Sequence, residues 1–236
     1  MKAVILSAGE GKRLRPLTNK IPKVMLSLSG KPLLEHLIIL CQKHGVDEVF
    51  LNLYHLPDVI TNHFRSRELG IKVSWVVMEK LINAAEALLY FRENLKEDFL
   101  VLYGDVASRL DLTGLMKYHK HRKALATIVL HPSNHPIDSD LAEIDSNNRI
   151  IRFHIKPHEN IDYKNIYLCN AGTIAFSPKI FQFIEKGWNK EDSLSHSLLT
   201  KIINERRDVF GFVTDDYMKD IGTPERYAEI SKEYCL

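Results

Sequence analysis

The first residues able to do chemistry follow a short apolar run. "AVILSA" leads into Gly9, Glu10 and Gly11, and cations follow at Lys12, Arg13, Arg15, Lys20 and Lys23. Glycines let backbone N–H groups approach an anion with no Cβ in the way, and Arg and Lys neutralise it, so the stretch suits a phosphate chain. Two phosphate motifs are not formed. G-x-G-x-x-G needs a glycine where Leu14 stands, and no Gly-Lys pair is followed by Ser or Thr as a P-loop requires. Taken alone, the G-x-G reads more readily as a solvated turn with scattered charge. A second point of interest is Asp105, which closes "FLVLYGD" at the carboxyl end of a strand, where open α/β sheets hold ligands. Gly-Asp is also a common turn, so capping the next segment is its plain alternative. His131 and His135, and His154 and His158, are each four apart. They fall on loops and strand ends, where that spacing does not converge on a metal; exposure or contact with a hydroxyl-rich substrate fits them better.

Several elements must position these groups. "AVILSA", "VFLNLY", "IKVSWVV" and "FLVLYGD" read as buried strands. Between them, Leu34, Leu37, Ile38 and Cys41 follow helical spacing closed by Gly45. Pro57 and Asp58 start a short helix, and Ala84, Ala87, Leu88, Phe91 and Leu95 mark another. Strand and helix in alternation predict βαβ units and a mainly parallel sheet. After about residue 123 the texture changes: "ALATIVLH", "LAEID", "RIIRFHI" and "CNAGTIAF" are strands with little helix between them, broken by the polar loop 132–140. That predicts a mixed or antiparallel extension forming the far wall of a cleft. Helices follow around Leu194, Leu198, Leu199 and Ile202, and from Thr223-Pro224-Glu225, with Thr223 as N-cap.

The chain has 236 residues, most economically one domain, and its 32 basic against 30 acidic residues give a net charge of +2. Nothing in that balance points to nucleic acid or a membrane as the partner, so any basic site is local. Cys41, Cys169 and Cys235 are odd in number and widely spaced, as expected of free thiols in a reducing compartment. Cys41 lies on the apolar side of its helix and is expected to be buried. There is no signal-peptide pattern and no apolar run near the ~20 residues that span a bilayer. A soluble cytoplasmic protein is expected.

The longer pattern "AGEGKRLRPLT…PK" resembles the signature of nucleotidyltransferases that join a nucleoside triphosphate to a sugar 1-phosphate: Gly9, Gly11, Arg13, Pro16, Leu17, Thr18, Pro22 and Lys23 match in order. "YGD" at 103–105, "KP" at 156–157, "NAG" at 170–172 and "DIGTP" at 220–224 continue the resemblance along the whole chain. It implies a Rossmann-like α/β fold, glycosyltransferase-A-like, with a mixed, mainly parallel sheet flanked by helices and a smaller β-rich sugar-binding extension. Within one domain, 1–122 would mainly bind nucleotide; 123–236 would mainly bind sugar phosphate and supply a second metal ligand.

The resemblance also implies roles. A sugar 1-phosphate oxygen attacks the α-phosphorus and pyrophosphate leaves. The nucleophile is already an anion, so no base is needed and the burden is electrostatic. Leu6, Ala8, Gly9, Glu10, Gly11 and Lys12 would surround the nucleotide with Asn83, Ala84 and Gly104. Arg13 would clamp the β- and γ-phosphates and Lys23 the α-phosphate. Asp105 and Asp220 would hold Mg²⁺. Lys156, Asn170 and Gly172 would bind the sugar phosphate. Asp215 and Asp216 read as a polar turn, and Lys219 as surface.

The family usually has Leu-Gly-Thr-Ala-Gly where this chain has Leu81, Ile82, Asn83, Ala84 and Ala85, followed by Glu86. Both glycines are replaced, which could change the sugar accepted or weaken catalysis. Glu86 reads as an exposed helix residue or, second, as a sugar-phosphate contact. The segment 131–158 resembles guanylyltransferases acting on mannose 1-phosphate and, more so, D-glycero-D-manno-heptose 1-phosphate. GTP with one of those sugars is therefore the leading pair. A UTP-, CTP- or dTTP-dependent transferase and a nucleotide-binding homologue without turnover are the alternatives. A homodimer is the default assembly.

Overall fold

A computed structural model of the chain describes residues 1–132, 136–158, 161, 168–190 and 192–234; His135 and Cys235 lie outside them. The chain divides into two units, each discontinuous in sequence. The first comprises Met1–Leu81, Val101–Leu112 and Asp216–Leu236; the second comprises Ile82–Leu100 and Thr113–Asp215. The fold is mixed α/β with a mainly parallel core flanked by helices.

In the first unit the strands lie in the order Lys72–Val77, Glu48–Leu53, Lys2–Leu6, then the end of Phe99–Tyr103. Lys2–Leu6 and Lys72–Val77 both run parallel to Glu48–Leu53. Ala3, Val4, Ile5, Val49, Leu51 and Leu53 are completely buried, as near-continuous apolar strands require. The helix Leu33–Lys43 buries the expected face, with Leu34, Leu37, Ile38 and Cys41 at 0–1% exposure. Its one buried acid, Glu35, accepts from His63 at 2.8 Å and from Arg67 at 3.0 Å, both in or just after the helix Pro57–Arg65. The last helix, Pro224–Glu233, starts as the sequence predicts: Thr223 Oγ1 accepts from the Arg226 N–H at 3.3 Å.

Burial pushes the Cys41 thiol up to about 12. A thiol that stays protonated and shielded at pH 8 reacts only when the helix opens. A maleimide reagent at that pH is expected to label the Cys41 peptide only after denaturant is added, as read by mass spectrometry. Labelling of the native protein within minutes would contradict this packing.

In the second unit Leu168–Phe176 pairs antiparallel with Ala126–Pro132 and, through Leu168 and Cys169, with Leu141–Ile144. Ile150–His154 flanks the latter, and Val209–Val213 runs parallel to Ala126–Pro132. Phe99 anchors the core against Phe176 and Phe181, with ring centroids 5.9 and 5.7 Å apart. Several features depart from expectation. The helix expected over 84–95 is α only at Ala84–Ala87, then 3-10 at Leu88–Phe91. Leu88, Phe91 and Leu95 are buried as the spacing requires, but Tyr90 and Phe91 are poor helix formers and the winding tightens. The helix around Leu194 winds as a π turn over Ser195–Leu199 before becoming α at Thr200–Asn204. The helix Leu112–Arg122 and the strand Val209–Val213 were not expected. Among the described residues no helix is long and apolar enough to cross a membrane.

Candidate active site

The glycine turn is built at the end of the strand Lys2–Leu6. Asn52, buried in the neighbouring strand, accepts the Ser7 N–H at 2.9 Å and so fixes where the chain leaves the sheet. Gly11 takes φ +61, and its carbonyl accepts from Thr18 Oγ1 at 2.9 Å and from the Leu14 N–H at 2.9 Å. Lys12–Leu14 then form one 3-10 turn. Glu10 and Lys12 pair with each other at 3.0 Å, and the hydrogen bond from Lys12 holds the Glu10 carboxyl below its usual range. Leu6 and Gly104 meet as backbone: the Gly104 N–H donates to the Leu6 carbonyl at 3.0 Å. A Cβ on Gly104 would run into that same oxygen, so only glycine fits.

A Cβ on Gly11 would lie 2.9 Å from Thr18 Cγ2 and 3.0 Å from Lys23 Cβ. Gly11→Ala also forces an L-residue into left-handed backbone, at about 1–2 kcal/mol before any crowding. An unfolding free energy from urea titration lowered by that much or more is the expected result. An unchanged value would show that the turn relaxes freely.

Five charged groups gather beside the turn. Lys23, nearly buried, places Nζ on Asp105 Oδ2. Partial burial raises the Asp105 pKa, but the charge and hydrogen bond of Lys23, with a further contribution from Arg13, more than offset it and leave the carboxyl below its usual range. The Asp105 carbonyl accepts the Ile221 N–H at 2.9 Å. The next residues, Val106–Ser108, pair antiparallel with Met218–Asp220, Val106 opposite Asp220. A short ladder thus brings two acids far apart in sequence to neighbouring strand ends. Asp220 accepts from Arg226 Nη1 with both oxygens, at 3.2 and 2.9 Å, and Oδ1 also accepts the Gly222 N–H at 2.8 Å. Arg13 Nη2 lies 3.3 Å from where a Gly222 Cβ would stand, which places its guanidinium over the same turn.

Lys219 reaches Glu229 and Glu233 at 2.9 and 2.7 Å, and Tyr227 donates to the Ser27 carbonyl at 2.9 Å. The helix carrying Arg226 is therefore tied to the strand carrying Asp220. Asp216, expected as part of a polar turn, accepts the Asp111 N–H at 3.2 Å. Asp105 and Asp220 are hard oxygen donors, one held ionised by Lys23 and the other bound by Arg226. Two carboxylates completed by phosphate oxygens and water are a donor set that magnesium accepts. Among the described residues no group of three or more His, Cys, Asp or Glu is poised for a metal.

Arg226 was not singled out from the sequence. Its signal is an arginine in the first turn of a helix, where the dipole favours acids; such a cation implies a local anion.

The remaining site residues lie in the second unit. Lys156 Nζ donates to the Asp138 carbonyl at 2.7 Å, and its N–H to Asp140 Oδ1 at 3.3 Å. Asn170 Oδ1 accepts the Gly172 N–H at 3.0 Å and Nδ2 donates to Ser195 Oγ at 2.9 Å. Asn83 is fully buried and its amide is engaged within the protein. Glu86 is not an exposed helix residue: half-buried, it accepts the Trp188 N–H at 2.9 Å. His154 Nε2 lies 2.6 Å from Glu143 Oε1, and His131 Nδ1 lies 2.7 Å from the Pro132 carbonyl.

A family model described as nucleotidyl transferase matches residues 2–235. A UTP–glucose-1-phosphate uridylyltransferase from Synechocystis sp. is 30% identical over 96% of this chain and 61% of its own length. This chain thus spans about three fifths of that relative. A D-glycero-alpha-D-manno-heptose 1-phosphate guanylyltransferase from Aneurinibacillus thermoaerophilus is 29% identical over 99% of this chain and 98% of its own. The crystal structure of HddC from Yersinia pseudotuberculosis complexed with GMP-PN matches with a TM-score of 0.80 at 24% identity, covering 99% of each chain, a likeness of fold.

Proposed function

We propose, because the chain belongs to the nucleotidyl transferase family, that it transfers a nucleoside monophosphate from a nucleoside triphosphate to a sugar 1-phosphate. The observation that carries this reading is the gathering of Arg13, Lys23, Asp105, Asp220 and Arg226 beside a glycine turn in one unit. Such a cluster suits a reaction in which charge, not protons, must be managed. An oxygen of the sugar phosphate forms a bond to the α-phosphorus, the α–β bridging bond breaks, and its electron pair leaves with pyrophosphate.

The amides of Ala8 to Gly11 cradle the triphosphate. Arg13 meets the β- and γ-phosphates with its two-pronged guanidinium and supports the leaving pyrophosphate. Lys23 exchanges the Asp105 carboxylate for an α-phosphate oxygen as charge builds there. Magnesium, when held by Asp105 and Asp220, supplies charge neutralisation at the phosphates. Lys156 and Asn170 bind the acceptor's phosphate and hydroxyls, with Gly172 leaving backbone room.

GTP with a heptose or mannose 1-phosphate is the favoured pair. It is supported by the segment 131–158 and by the full-length match to a heptose 1-phosphate guanylyltransferase. The 30% match to a glucose-1-phosphate uridylyltransferase keeps UTP as the second reading. A pyrophosphate-release assay with magnesium, across ATP, GTP, CTP, UTP and dTTP and a panel of sugar 1-phosphates, tests both. Release with GTP and a manno-configured sugar phosphate is expected. Release with UTP or CTP alone overturns the guanylyl assignment, and release with no pair overturns transfer itself.

A further inference from the structure

Each of the two acids assigned to magnesium already carries a cation of this chain. Asp105 Oδ2 holds Lys23 Nζ, and Asp220 holds Arg226 Nη1 with both oxygens, at 3.2 and 2.9 Å. The reaction above gives Lys23 a second partner, an α-phosphate oxygen, but leaves Arg226 without a role. A carboxylate offers about four lone-pair positions. The Gly222 N–H and Arg226 take two on Oδ1, and Arg226 takes one on Oδ2. A metal bound through the remaining position on Oδ2 would therefore sit beside a guanidinium.

The Asp220–Arg226 pair contributes little to the fold. Its side chains are 42% and 28% exposed, against 33% and 11% for Asp105 and Lys23, and a pair so open to water is worth little. Arg226 also lies in the first turn of Pro224–Glu233, the end at which a helix disfavours a cation. Nor does Asp220 need Arg226 for its placement. The Gly222 N–H holds Oδ1 at 2.8 Å, and a Cβ on Gly222 would run into that oxygen, so the backbone itself fixes the carboxylate. The strand Met218–Asp220 is paired with Val106–Ser108, and the Arg226 N–H is capped by Thr223. None of these contacts uses the guanidinium.

What the guanidinium changes is the charge of the site. Arg13, Lys23 and Arg226 bring three positive charges, and Asp105 and Asp220 two negative ones, all in the first unit. A divalent cation arriving alone meets a cluster that is already net positive. A triphosphate, with its several negative charges, reverses that balance at short range.

We propose that Arg226 makes Asp220 a conditional metal ligand: its charge disfavours a divalent cation alone and favours the triphosphate, so that cation and triphosphate bind together. This rests on the transfer reading, which puts the triphosphate beside the glycine turn and the cation on the two acids. Arg226 acts through Asp220 and through the field at the phosphates. Because binding free energies are linked, the triphosphate raises affinity for the cation by the same factor as the cation raises affinity for the triphosphate.

The test is binding of Mn²⁺ alone, with the free ion counted by electron paramagnetic resonance. Arg226→Met should bind Mn²⁺ about 5- to 20-fold more tightly than wild type, and Arg226→Gln should do the same. Arg226→Lys, which keeps the charge, should stay within about twofold of wild type. The tightening should vanish in the double variant with Asp220→Asn. Inorganic tripolyphosphate, titrated by calorimetry, supplies the second arm. In EDTA it should bind Arg226→Met about 5- to 20-fold more weakly than wild type, and with magnesium the difference should fall below about twofold. The proposal is overturned if both neutral variants, melting within a few degrees of wild type, bind Mn²⁺ no more tightly; Arg226 then only orients Asp220. It is equally overturned if the tightening survives Asp220→Asn, or if tripolyphosphate in EDTA binds wild type and Arg226→Met alike. Tightening that depends on Asp220, in a protein that releases no pyrophosphate with any pair, would support this inference and remove the transfer reading.

Discussion

Asp105→Asn is expected to lower magnesium-dependent pyrophosphate release by about a thousandfold, roughly 4 kcal/mol of transition-state stabilisation, in a protein that still folds. The substitution keeps the shape of the side chain and an oxygen facing Lys23 but removes the charge. A third of the Asp105 side chain is exposed, so water relieves part of the loss. The stability cost should stay near 1–2 kcal/mol, below that of breaking a fully buried pair. The backbone bond from Ile221 to the Asp105 carbonyl is untouched, so the ladder that brings Asp220 alongside survives. A melting transition within a few degrees of wild type, together with collapsed turnover at saturating magnesium, is the expected pair of results. Turnover within tenfold of wild type would remove Asp105 from the mechanism, whatever the melting curve shows.

The first unit was legible where an apolar run is buried: the strands at 2–6 and 48–53 and the inward face of the helix 33–43 follow the sequence pattern closely, whereas 72–77, read as buried, is an edge strand with Lys72 and Val77 exposed. The helix Leu112–Arg122 was not, because "LTGLMKYHKHR" carries a glycine and five basic or histidine residues that blur its apolar face. Val209–Val213 was missed because five residues give too little alternation to stand out. The same limit hid the ladder of Val106–Ser108 with Met218–Asp220, three residues a side. That Asp105 and Asp220 belong together came from motif order, never from spacing; only the fold supplies the pairing. Side-chain engagement was least legible. Glu86 looked like a solvent residue, and the partners of Asn83 were not foreseen, because a sequence does not show that Trp188, Asn189, Asp192 and Ser197 return to them.

Lys23→Met is expected to cost about a hundred- to a thousandfold in kcat, the range found when one preorganised electrostatic donor is removed. The KM for triphosphate should move less than tenfold. Methionine preserves much of the apolar stem, which is packed where a Gly11 Cβ would touch it, and deletes only the ammonium. That ammonium is engaged by Asp105. In the proposed reaction an α-phosphate oxygen replaces that carboxylate as the partner of Lys23, so the ground state gains little. The gain comes as negative charge grows on the α-phosphate oxygens, which is why kcat should bear the loss. Lys23→Arg should not rescue turnover, since a planar guanidinium is bulkier and cannot replace a point charge beside Gly11 and Thr18. Single-turnover rates at saturating triphosphate separate the cases: a KM raised a hundredfold or more with kcat intact would make Lys23 a binding residue only. The double variant with Asp105→Asn should lose little more than Asp105→Asn alone, because the two side chains act as one unit. Losses that multiply would mean that the ion pair between them plays no part in turnover.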